Sequence, residues 1–158
     1  MELTAQTLTQ EAFAPYGDVL TLPDAPGRSY FETALGNLRP AAWPSLSLSL
    51  RAPLASLPMQ ATLMERHEFS SQSFVAIDAS RWVVIVCPHA AGGGPDVARA
   101  LAFVAGPGQG VTYRPNTWHH GLTCLDRPGR FATFMWRDGT QGDEEFVPVP
   151  AFTVHVPD

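Results

Sequence analysis

Between Gly106 and His120 the chain gathers three glycines, two prolines, two aromatic residues and two of its five histidines. Gly106, Pro107, Gly108 and Gly110 predict a tight turn entering a short strand from Val111 to Tyr113. Pro115-Asn116 predicts a second turn, because proline presets φ and asparagine tolerates the left-handed region. Trp118-His119-His120 then opens another strand. A histidine at a strand start, beside backbone corners that cannot relax, is how a small β-barrel presents a ligand group.

The partner stretch lies upstream, from Ala61 to Gln72. At the two-residue strand period, Ala61, Leu63, Glu65, His67 and Phe69 share one face, and Thr62, Met64, Arg66 and Glu68 share the other. The first face is mainly apolar and is expected to point inward. Glu65 and His67 then sit side by side in a mostly hydrophobic interior, which is costly unless they bind something or each other. On this reading Arg66 points away, into an ion pair with a neighbouring strand.

At 158 residues the chain is long enough for one domain, spanning 1–158, with a real core. Fifteen prolines and thirteen glycines disfavour long helices and favour short strands joined by turns. A net charge of −5 argues against nucleic acid and anionic membrane as partners. No long apolar run or basic leader is present, so the expected location is the cytoplasm. All ten basic residues are arginine. Schiff-base chemistry, lysine-bound pyridoxal phosphate and a P-loop are therefore excluded. Cys87 and Cys124 lie in apolar strand-like runs and read as buried free thiols.

In chain order, Thr9 can cap one helical turn that stops by Pro15 and Gly17 and packs as a lid on the barrel. Residues 21–40 are turn-rich, and their Arg28, Tyr30 and Arg39 carry no motif. Ser45 to Arg51 alternates serine with leucine, as a half-buried strand does. Gln72 to Ile77 is the next strand, and Arg81 to Cys87 is a continuous apolar run expected to be buried on both faces. The glycine-rich 88–95 loop has no Lys-Ser/Thr after it and reads as a hairpin tip with an exposed His89. Further strands are expected at Val97–Val104, Gly121–Leu125 and Phe131–Arg137. A weakly alternating tail, 146–157, is expected at a sheet edge, with His155 peripheral.

About ten short strands and no long helix imply an all-β fold, and the cupin-type, jelly-roll-like β-barrel with a short N-terminal helical turn fits best. In that frame Glu65, His67 and Gln72 take the three ligand-type positions of the first motif. The second motif's glycine falls on Asn116 and its histidine on His119. Adjacent strand residues face opposite ways, so His119 and His120 do not both point inward unless a bulge intervenes; His119 is the favoured inner histidine, with His120 near the site or at a subunit boundary.

The segments Met64–His67, Ser71–Phe74, Phe103–Tyr113 and Thr117–His120, with Leu3–Thr4, Phe13–Val19 and Asp143–Phe146 toward the ends, resemble the ureidoglycolate lyase family of cupins. Asn116 stands where that family usually has glycine, Glu68 where proline is common, and the 88–98 loop differs in composition. The resemblance implies release of urea from (S)-ureidoglycolate to leave glyoxylate, in allantoin and purine nitrogen breakdown. It also implies a homodimer and at most a stimulating metal such as nickel.

Ureidoglycolate is an adduct of urea with an aldehyde. Its breakdown needs a base for the carbinol hydroxyl, an acid for the departing nitrogen and a group that holds the carboxylate. His67 is the expected base, and Glu65 orients it or shares its proton. His119 protonates the urea nitrogen or binds the carboxylate. Gln72 offers both a donor and an acceptor to substrate, and Tyr113, Trp118 and His120 are the other expected substrate contacts. Glu65, His67, Gln72 and His119 can also hold a divalent ion, with nickel, zinc and manganese all compatible, or act without one through hydrogen bonds. Two other readings use the same positions. One is a metal-dependent cupin dioxygenase or isomerase, and the other is a non-catalytic barrel that binds a small carboxylate.

Overall fold

A computed structural model describes residues 1–157. Its strands form two sheets. The larger contains β1 (Glu2–Thr4), β2 (Gln6–Thr7), β5 (Met59–His67), β7 (Trp82–Cys87), β8 (Leu101–Ala105), β10 (Trp118–His119), β11 (Thr123–Cys124) and β13 (Glu144–His155). It runs in the order β1-β13-β5-β10-β7-β8-β2, with β11 alongside β7. The smaller sheet contains β3 (Gly17–Leu20), β4 (Trp43–Arg51), β6 (Gln72–Asp78), β9 (Gly110–Tyr113) and β12 (Gly129–Arg137), in the order β3-β9-β6-β12-β4. Together they make the cupin-type barrel expected from the sequence.

Every residue of β7 is buried, as its unbroken apolar run requires. Trp82, Val84 and Val86 belong to one core with Phe13, Phe103, Tyr113 and Phe131, and Trp82 meets Phe131 edge-on at 5.4 Å. Val83, Ile85 and Cys87 belong to a second core with Met64, Trp118 and Phe152. The helical turn α1 (Gln10–Phe13) is capped by Thr9, whose hydroxyl accepts from the Ala12 amide at 3.3 Å, and it drives Phe13 wholly into the first core. Gly17 then lets β3 close on β9, since a Cβ there would lie 1.7 Å from the Thr112 carbonyl oxygen. Cys87 and Cys124 are free and buried. Among the described residues no helix is long and apolar enough to cross a membrane.

Four elements differ from the sequence reading. In β4 the serines face the barrel interior, while Leu46, Leu48 and Leu50 are 70%, 73% and 63% exposed. In β5 the expected single apolar face breaks: Ala61 and Met64 both enter the second core and Leu63 is exposed. At the same place the β13–β5 register shifts between Pro148 and Phe152, where Pro148 and Pro150 cannot donate to the ladder. That tail is also no edge, since β13 lies between β1 and β5. Finally, Val97–Arg99 forms a short 3-10 turn, and the strand begins only at Leu101.

Candidate active site

Antiparallel pairing of β10 with β5 sets His119 opposite Glu65. Beyond Tyr113 the chain turns at Asn116, which adopts φ 68°, the left-handed geometry that asparagine tolerates in place of glycine. The Asn116 amide donates to the His67 carbonyl at 2.7 Å, tying this corner to the end of β5. Gln72, at the start of β6, reaches between the two histidines. Its Nε2 lies 2.9 Å from His67 Nε2 and its Oε1 3.1 Å from His119 Nε2. Glu65 Oε1 is 3.2 Å from the same His119 nitrogen. The four residues named from the two motifs thus meet at one point.

Burial and the neighbouring charges together set the charge states here. Burial pushes the His67 imidazole down to about 4, with the His119 charge acting in the same direction and Glu65 and Asp143 opposing in part. His67 is therefore neutral at physiological pH. Burial alone would push the Glu65 carboxyl up, but the hydrogen bond from His119 and the neighbouring histidine charges outweigh it and hold the carboxyl below its ordinary range. His120 is also lowered, mainly by burial.

One ligand-type atom from each of Glu65, His67 and His119 lies within 4.8 Å of the others. The outer nitrogens fit a metal centre as well. His119 Nδ1 meets the Thr117 carbonyl at 2.9 Å, and His67 Nδ1 faces the Asp143 carboxylate. A histidine that ligates through Nε2 characteristically donates its other N–H to a carbonyl or carboxylate. Two imidazoles, a carboxylate and the Gln72 amide make a mixed nitrogen and oxygen donor set suited to a divalent first-row ion.

The cluster lies against a cavity of about 540 Å³ between the two sheets. Glu65, His67 and His120 line it from the larger sheet and the turn after β10, and Gln72, Ser45, Ser47, Ser49 and Thr133 from the smaller sheet, with Arg51 and Arg137 also on its wall. His120 reaches the cavity because β10 ends at His119 and strand alternation no longer applies, whereas His119 itself, 1% exposed, lies behind Glu65 and Gln72 and is not on the cavity lining.

Over residues 1–155 the chain matches the family model for ureidoglycolate lyase. A protein of Agrobacterium fabrum is 39% identical over 147 residues, covering 93% of this chain and 90% of its own length. Proteins named ureidoglycolate lyase from Mesorhizobium japonicum and a Chelativorans species are each 34% identical, the first covering 98% of both chains, the second 99% of this chain and 98% of its own. The chain belongs to the ureidoglycolate lyase family.

Not every residue expected from the ureidoglycolate lyase resemblance reaches the cavity. Trp118 lies on the far face of β10, wholly buried in the second core, with Nε1 donating to His89 Nδ1 at 3.1 Å. Strand alternation requires this once His119 points inward. Tyr113 stacks on His119 at 4.1 Å and backs that ring rather than lining the cavity, and burial raises its phenol far above the ordinary range. Arg66 turns away as expected, 2.6 Å from Glu145 and over the Trp118 ring. Sequence reasoning missed Asp143, the serines of β4 and Arg137. For the serines, the alternation from Ser45 to Ser49 was a usable signal that separated two faces without saying which of them lines the cavity.

Proposed function

We propose that this chain is a ureidoglycolate lyase that cleaves (S)-ureidoglycolate to glyoxylate and urea in allantoin and purine nitrogen catabolism, as a cytoplasmic homodimer. The observation that carries this reading is the meeting of Glu65, His67, Gln72 and His119 against a hydroxyl-lined cavity, in a chain of this family. A polar wall and buried acid–base groups suit a small, hydrogen-bonding substrate.

In this scheme neutral His67 takes the carbinol proton through Nε2. The C–N bond breaks as the carbinol oxygen becomes the aldehyde oxygen, and the departing urea nitrogen receives a proton from His119. No water is consumed and nothing is oxidised. Both ring nitrogens of His119 face oxygen atoms, which favours a proton at Nε2 available for transfer. Glu65 stabilises the ring that gives and regains that proton. Gln72 and His120 contact substrate, and Arg137 takes the carboxylate. Arg137 is the nearer of the two wall arginines, two residues past Met135, the register partner of Gln72. Glu65, His67, His119 and Gln72 would hold a nickel, zinc or manganese ion. When bound, such an ion supplies Lewis-acid polarisation of the substrate's oxygen atoms. In this reading the second copy packs on the outward leucine face of β4, which the row of exposed large apolar residues there supports.

The test is an assay of purified, chelator-treated protein with ureidoglycolate, measuring urea, glyoxylate and ammonia separately, then repeated with each metal added back. Equal urea and glyoxylate without ammonia is the expected result. Release of ammonia would replace the lyase by a hydrolase, and no product under any metal would exclude this reaction.

A further inference from the structure

We propose that Asp143 is a positioning residue for His67, taking the imidazole Nδ1–H and so fixing the tautomer whose Nε2 carries the lone pair, on the side of the ring that Gln72 meets. His67 Nδ1 and Asp143 Oδ2 face each other at 3.8 Å, and each side chain is only 5% exposed. Among the described residues neither atom has a hydrogen-bond partner. A buried donor-capable nitrogen and a buried acceptor, both unsatisfied and confronting one another, constitute an unclosed hydrogen bond, because such groups are nearly always paired. The far side of the ring agrees. Gln72 Nε2 donates toward His67 Nε2, which leaves Nδ1 as the nitrogen that carries the proton.

Asp143 is built into place independently of His67. Its Oδ1 accepts from the Phe69 amide at 2.7 Å, and its backbone carbonyl accepts from the Glu68 amide at 3.2 Å. Oδ2 also lies 3.4 Å from Arg39, which is itself held by Asp138 at 2.6 Å. Shortening the gap by about 1 Å brings it to hydrogen-bond distance. Asp143 therefore acts through His67 and touches no substrate.

The kinetic consequence rests on the lyase reading, but the tautomer does not. The experiment is nitrogen NMR of histidine-labelled, chelator-treated protein, with steady-state kinetics alongside, for wild type, Asp143→Asn and Asp143→Ala. In wild type His67 is expected to carry its proton on Nδ1. Asp143→Asn presents an amide N–H to Nδ1 and is expected to move that proton to Nε2. Its kcat should fall ten- to a hundredfold, the usual range for losing a carboxylate behind a functional histidine, with KM changed less than about twofold. Asp143→Ala should leave the two tautomers mixed. A proton on Nε2 in wild type overturns the proposal without any variant, as does an unchanged tautomer in Asp143→Asn. Absence of ureidoglycolate turnover in wild type would remove the reaction while the NMR result still decided the role of Asp143.

Discussion

Strands β7 and β4 both have strongly patterned sequences, yet their side chains serve opposite ends. In β7 six consecutive apolar residues are buried on two faces, and the strand lies within the larger sheet. β4 is the edge of the smaller sheet, with its leucines outside and its serines against the cavity. The difference separates two uses of a barrel interior. Where Trp82, Phe131 and Phe103 meet, it is filled and holds the fold together. Where Ser45, Ser47, Thr133, Gln72 and His67 line the cavity, it is left open and polar, as a place for a ligand must be.

Substitutions can break this division, and Trp82→Ala should have the largest effect. Emptying a fully buried site at the packed end should cost about 3–5 kcal/mol, read as a lower denaturation midpoint. A loss below about 1 kcal/mol would mean that β7 is not the stabilising strand. His67→Ala should instead leave the fold intact and reduce ureidoglycolate turnover on the order of a hundredfold; activity within a few fold of wild type would end its assignment as base.

The same residue sharpens the comparison through pH. With the folded value held down at about 4, the unfolded chain binds more protons than the folded one from there up to the ordinary histidine value. Stability of the metal-free protein should therefore fall on acidification from about pH 6.5 to 4, by roughly 3 kcal/mol at most for this group. Denaturant melts in His67→Ala should lose that part of the slope.

Smaller effects are expected on β4. Ser47→Leu projects into the open end, so it should raise KM on the order of tenfold while changing stability by less than about 1 kcal/mol. An unchanged KM would place the substrate elsewhere. Leu48→Ser on the outer face should change the stability of a single chain by no more than about 0.5 kcal/mol. Its effect should appear in light scattering, as a shift from dimer toward monomer. An unchanged mass would move the second copy off this face.

Much of this was legible in the sequence. Thr9 announced its helical turn, Asn116 its left-handed corner, and Glu65, His67, Gln72 and His119 their common site, because each depends on local geometry or strand period. Arg66 was readable for the same reason. The orientation of β4 was not, since alternation distinguishes two faces without saying which encloses the cavity. The parity break in β5 coincides with a register shift against the proline-bearing stretch of a different strand, β13, which the sequence of β5 alone does not reveal. Asp143 reaches His67 only through the fold, from a segment with no ligand-like spacing.

Gln72 gives the bridge between the two histidines a direction. An amide has one end that only donates and one that only accepts, so in the orientation seen here it asks for a bare nitrogen from His67 and a protonated one from His119. The two rings are thereby set out of phase, and in the proposed reaction one planar group would assign acid and base before any substrate arrives. Rotating that amide by half a turn would exchange the assignments, so what holds Gln72 in register would also hold the division of roles in the proposed reaction.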